Sequence, residues 1–245
     1  MKKVLASIGI GNATVDTVLP TDSVVPGETV DAEVHVVGGN ADQTVDAVRF
    51  EVETRVRTED GYDDVDVGRL TLTDGFTVEA GAEKTIPATV EIPFHTPVTL
   101  GNVDVWVETE LDIARAVDPE DRDSLDVRPT PRMRALFDAM ERLGFRLHTA
   151  DCEADPYGRY VSGRRFVQEF EYRPDGGAFA GRLDEVELVL DPGPDALTAY
   201  AEVDRRGGLL SELADADESR TELTVTTTDV DRLVDDVEAT LERHA

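Results

Sequence analysis

The sequence predicts a mainly β protein made of two antiparallel β-sandwich bodies, with one helix opening the second body and another closing the chain. Three observations carry this. Short apolar runs alternate with period two and are separated by turn residues, as a sheet with one buried face requires. Helical periodicity occurs only near residue 130 and after residue 229. The length, 245 residues, suits two domains of about 120 each better than one. Two domains, 1–128 and 129–245, are therefore expected.

The opening MKKVLASIGIGNATVDT reads as a first strand, because Gly9 and Gly11 interrupt its apolar run and no small-residue cleavage pattern follows. Thr29 to Val37 is the clearest strand. Val30, Ala32, Val34 and Val36 share one side, and Pro26-Gly27 and Gly38-Gly39 supply turns. The next run points Val48, Phe50, Val52, Thr54 and Val56 inward and Arg49, Glu51, Glu53, Arg55 and Arg57 outward. Asp60-Gly61, Asp74-Gly75 and Ala80-Gly81 bound further strands over 66–72 and 84–92. In the strand from Asn102 to Asp112, Val103, Val105, Val107 and Leu111 face inward. Trp106, the only tryptophan, falls with Asp104, Glu108 and Glu110 on the polar side and so needs cover, from the protein or from a partner.

An acidic stretch, DIARAVDPEDRDSLDVRPTP, then reads as a solvated connector between the domains. Thr130-Pro131 is a helix entry, with a capping hydroxyl and a proline where its missing N–H costs nothing. Met133, Leu136, Phe137, Met140 and Leu143 form the apolar stripe, and Gly144 ends it. Strands follow over 163–173, 185–190, 197–204 and 221–227. Asp229 caps a terminal helix whose buried stripe is Val230, Leu233, Val234, Val237 and Leu241.

The charge balance restricts partners. Lysine and arginine total 24 against 53 acidic residues, for a formal net charge of −29. Only Lys2, Lys3 and Lys84 are lysine. A nucleic acid would be repelled by the mean field. Abundant carboxylates with few lysines fit a salt-adapted host, where screening removes self-repulsion. The single cysteine, Cys152, rules out an internal disulfide and agrees with a reducing cytoplasm. No apolar stretch is long enough to span a membrane as a helix.

Catalytic templates find no match. Gly9-Ile10-Gly11 lacks the remaining glycine of a dinucleotide loop, and no serine sits in a nucleophile elbow. Asp151, Glu153 and Asp155 around Cys152 would raise a thiol pKa and oppose thiolate chemistry. The four histidines are isolated, which excludes a zinc site built on close histidine and cysteine ligands. Asp118, Glu120, Asp121 and Asp123 form the densest oxygen cluster and could attract a hard cation, although the glycine and distal glutamate of a helix-loop-helix calcium site are missing. No cofactor, metal or catalytic residue is assigned. Arginine offers the better lead, since 14 of the 21 lie from Arg132 onward. Arg159, Arg164, Arg165 and Arg173 flank one aromatic strand, and Arg205 and Arg206 precede a glycine pair. Such pairs imply local carboxylate partners or an anionic partner surface.

Several blocks in order resemble the sporulation-control protein family. They are LASIGIGNATVDT, VVPGETVDAEVHVVGG, TPVTLGNVDVWVETELDIARAVDPEDRDSLDVRPTPRM, ALFDAMERLGFRL, GRRFVQEFEYRP, RLDEVELVL and AEVDRRGGLLSELADADESRTELTV. The resemblance covers nearly the whole chain, which departs from the family in its surplus of acidic surface; that composition makes it an acidic, haloarchaeal-type member. It implies an arrestin-like fold and a non-enzymatic regulatory or scaffolding role, with no catalytic residues to carry over. The expected function is a cytoplasmic adaptor that binds partner proteins, with Trp106, Arg164, Arg165, Arg205 and Arg206 as candidate contact residues and a homodimer within reach. The alternative is a divalent-metal- or carbohydrate-binding β-sandwich, or a metal-dependent enzyme on that platform.

Overall fold

The computed structural model describes residues 13–72, 75–113, 118–205 and 218–244. In chain order its elements are β1 (Thr14–Val18), β2 (Ser23–Val24), β3 (Thr29–Val37), β4 (Gln43–Thr58), β5 (Gly61–Leu72), β6 (Phe76–Val78) and β7 (Glu83–Glu91). There follow β8 (Val105–Ile113), β9 (Glu120–Val127), α1 (Pro131–Arg142), β10 (Phe145–Ala154), β11 (Phe166–Pro174), β12 (Leu183–Pro192), β13 (Leu197–Arg205), β14 (Glu218–Val225) and α2 (Val230–Glu242). The mainly β expectation holds, with the sheets in two bodies and the two helices where the periodicity placed them. The first unit holds the described residues up to Thr54 together with Asp64–Thr96 and Asp104–Val127. The second holds Arg55–Asp63, Pro97–Val103 and the described residues from Arg128 on.

In the first unit, β3 lies between β1 and β7, antiparallel to both, and the second sheet is built on β4, β8 and β9. Alternation decides which residues are buried. Val34 and Val36 from one sheet and Val48, Phe50, Val52, Val107 and Leu111 from the other are all 3% exposed or less. Each such side chain contributes about 1.5–3 kcal/mol on burial. The Thr17 hydroxyl donates to that of Thr109 at 2.8 Å, linking β1 to β8 inside this core. A register shift between Val45 and Ala47 marks a bulge in β4 that moves the inward set onto even numbers.

The acidic stretch before residue 128 is not a connector. Residues 120–127 form β9, paired antiparallel with β8 so that Glu108 opposes Arg122 and Val105 opposes Leu125. Asp121 and Asp123 occupy inward positions near the strand's start, so the apolar alternation begins only at Leu125.

In the second unit, β10 to β14 form an antiparallel meander. Strand β10 was not foreseen. Its register shifts between Leu147 and Thr149, which spoils the period-two pattern at His148. Helices α1 and α2 cover one face, with the Phe137 ring 5.1 Å from that of Phe170. Leu136, Met140, Val237 and Leu241 of the helices meet Leu188 and Leu223 of the sheet around one apolar cavity. Thr130 caps α1 by accepting from the Met133 N–H at 3.3 Å, and Asp229 caps α2.

Candidate functional site

Residues 155–165, which join β10 to β11, are built with the care of a regular element. Asp155 is fully buried and its N–H donates to the Arg165 carbonyl at 2.7 Å, closing the neck of the loop. Its carboxylate accepts from the Tyr160 N–H at 3.3 Å and lies 3.5 Å from Arg159 Nε. Inside the loop, the Gly158 N–H donates to the Asp155 carbonyl at 3.1 Å and the Arg164 N–H to the Val161 carbonyl at 3.2 Å. Gly158 takes φ +60, a conformation that costs a residue without a Cβ little.

The loop is anchored on the sheet face opposite the helices. The Tyr160 hydroxyl donates to Glu202, and its ring lies 6.0 Å from that of Tyr200 and 5.5 Å from the Arg220 guanidinium. This face carries carboxylates in register, with Asp151 opposite Glu169 and Glu171 opposite Glu187, which in turn opposes Glu202. Like charges placed directly opposite destabilise a sheet. Arginines offset part of this: Arg57 lies 2.6 Å from Glu153, Arg173 2.6 Å from Glu171 and Arg220 2.6 Å from Glu202. Burial, then the charges of Glu187 and Glu153, push the Glu169 carboxyl up to about 7.

What the loop turns outward is different in kind. Tyr157 is 90% exposed, the most exposed large apolar side chain among the described residues. Arg165 is exposed, and its guanidinium has no carboxylate partner among the described residues. From residue 156 to 165 there are three arginines and no acid, in a chain with 53 acids.

The candidate residues read from the sequence are not gathered at one place. Arg164 pairs with Asp191 and Arg165 stands beside it in the loop. Arg205, at the end of β13, donates through Nε to the His244 carbonyl at 2.5 Å. Arg206 lies outside the described residues. Trp106 belongs to the first unit and is 4% exposed: Arg122 sits 3.5 Å over its ring and its Nε1–H donates to Glu53 at 2.6 Å. Its cover is therefore a β9 arginine of the same unit. The reading from sequence missed Asp155, Tyr157 and Tyr160. The acid-free run was the available signal for them.

The strand pleat separates the oxygen cluster at 118–123. Asp121 accepts from the Thr17 N–H of β1 at 2.6 Å, and Asp123, pushed up to about 6 by burial and then by Asp121 and Asp16, lies on the same side of β9. Asp118 instead accepts from the Ile113 N–H at 2.8 Å, and Glu120 opposes Glu110. A different trio, Glu51, Glu53 and Asp66, brings carboxylate oxygens within 4.8 Å of one another. Arg69 already reaches Glu51 at 2.6 Å and Asp66 at 2.8 Å, and Trp106 holds Glu53. The chain's own donors thus answer these charges.

This geometry defines a mainly β protein with its sheets in two bodies, and no described helix is long and apolar enough to cross a membrane. The family model described as SpoOM protein matches residues 1–207. The sporulation-control protein spo0M of Bacillus subtilis (strain 168) is 40% identical over 209 residues, covering 84% of this chain and 80% of that protein. The crystal structure of Spo0M, sporulation control protein, from Bacillus subtilis superposes with a TM-score of 0.83 at 34% identity, covering 95% of this chain and 99% of that one. The chain belongs to the SpoOM protein family.

Proposed function

We propose that this chain is a non-enzymatic regulatory adaptor that works in a salt-rich cytoplasm by binding partner proteins. The observation that carries the reading is the 155–165 loop, which is braced internally and exposes Tyr157 and Arg165. A connector needs no fully buried aspartate at its neck and no tyrosine clamp on the sheet. A binding loop does, because order established before association lowers the entropy cost of binding. Tyrosine and arginine are also the residues in which contact hot spots are enriched. The relative's name, a sporulation-control protein, supports regulation as the kind of role, with the process set by the host.

The test is affinity capture from host lysate at native salt, using the full chain as bait beside Tyr157→Ala and Arg165→Ala. A reproducible partner that is retained by the parent chain and lost with both variants is expected. Capture that ignores both substitutions, or finds nothing reproducible, removes the reading.

A further inference from the structure

We infer that the 155–165 loop docks an acidic, extended segment of a partner protein; this rests on the adaptor reading above and specifies its ligand. The only carboxylate of the loop, Asp155, is buried and engaged by Tyr160 and Arg159. Outward, the loop offers the planar donor fork of Arg165 and the terminal amino groups of Arg159, whose Nε faces Asp155 and whose side chain is 49% exposed, together with the Tyr157 ring and hydroxyl. Arginine forks match carboxylates in two-point hydrogen bonds. Tyr157 gives a rigid apolar platform with few rotamers to freeze.

The rest of the molecule sharpens the assignment. Salt screens distant charges and leaves only contacts of a few ångströms; at that range the carboxylates that dominate a chain of net charge −29 still repel an acidic segment, so the arginine loop is where it can settle. Repulsion elsewhere is how a weak local attraction becomes a specific one. The same field disfavours nucleic acid more strongly, because a phosphate backbone carries charge far beyond the span of one loop. The carboxylate rows on the adjoining sheet face, with Arg220 and Arg173 spent on Glu202 and Glu171, confine the segment to the loop's outer side.

The experiment is fluorescence anisotropy of the full chain with a short fluorescein-labelled poly-aspartate peptide, with an oligothymidylate of equal length as the alternative. Arg165→Glu is the principal variant, since Arg165 takes part in no ion pair among the described residues and the loop's bracing there does not use its side chain; Tyr157→Ala is the second. Circular dichroism at each salt concentration confirms that every sample is folded. Saturable binding of poly-aspartate is expected, about tenfold weaker in either variant and falling from about 0.1 M to about 1 M salt as the charges are screened. No saturable binding, or binding indifferent to both substitutions, overturns the inference. So does a preference for oligothymidylate. If lysate capture still depends on Tyr157 and Arg165 while poly-aspartate does not bind, the acidic ligand falls and the adaptor stands. If both experiments fail, both readings fall.

Discussion

At Glu108 the strand register fixes a conflict that composition alone could not locate. Its partners across the sheet are Glu51 on β4 and Arg122 on β9, and Arg122 is drawn over the Trp106 ring. Burial, then Glu53 and Glu120, raise the carboxyl from 4.5 to about 7. A raised carboxyl holds its proton more tightly in the folded chain than in the unfolded one. The stability it contributes is complete below the unfolded value near 4.5 and is lost as pH rises through about 7. Glu108→Gln is therefore expected to raise the melting temperature at pH above 7 and to leave it nearly unchanged at pH below 4.5. Equal shifts in both buffers would contradict the account. Trp106 itself was legible in the sequence as an aromatic on the polar side. Its cover was not, because Arg122 lay in a stretch that read as connector, and only the pairing of β8 with β9 brings the two together.

Elements were readable where one periodicity ran unbroken. The residues from 29 to 37 that alternate in sequence alternate in burial along β3, and the α1 stripe is buried as Met133, Leu136 and Met140, with Ala135 and Ala139 beside it. Strands β9 and β10 were hidden for two different reasons. Aspartates fill inward positions of β9, and a bulge at His148 shifts the phase of β10. The 155–165 loop was half legible: Arg164 and Arg165 stood out by charge, whereas Asp155 acts through a neck contact that exists only after β10 and β11 pair. At this scale Thr130→Ala should destabilise the fold by about 1 kcal/mol (range roughly 0.5–2), because the Met133 N–H loses its acceptor at the start of α1. Denaturant melts of the two chains, with an unchanged slope, would measure it. A null result would mean that solvent caps the helix equally well.

Over the whole molecule, charge sets the conditions under which the fold is stable. Carboxylates meet across strands on the second unit's sheet face opposite the helices, and Glu169 and Glu108 both sit near 7. Screening should relieve this. Raising salt from about 0.1 M to about 1 M shortens the Debye length from roughly 10 Å to roughly 3 Å, so the melting temperature is expected to climb with added potassium chloride. A flat or falling curve would show that the arginine pairs already balance the surface. The two-bodied fold was readable from the sequence at this scale. Its interleaved chain path was not, since 55–63 and 97–103 belong with residues far along the sequence. Gln168 shows what that path does: its amide both accepts from the Val98 N–H and donates to the Val98 carbonyl, each at 2.8 Å. A gene cut near its midpoint would therefore not yield two transferable cassettes. The downstream piece would leave behind the short strip that satisfies a buried glutamine, so shuffling or fusion has to carry this sequence as one indivisible length.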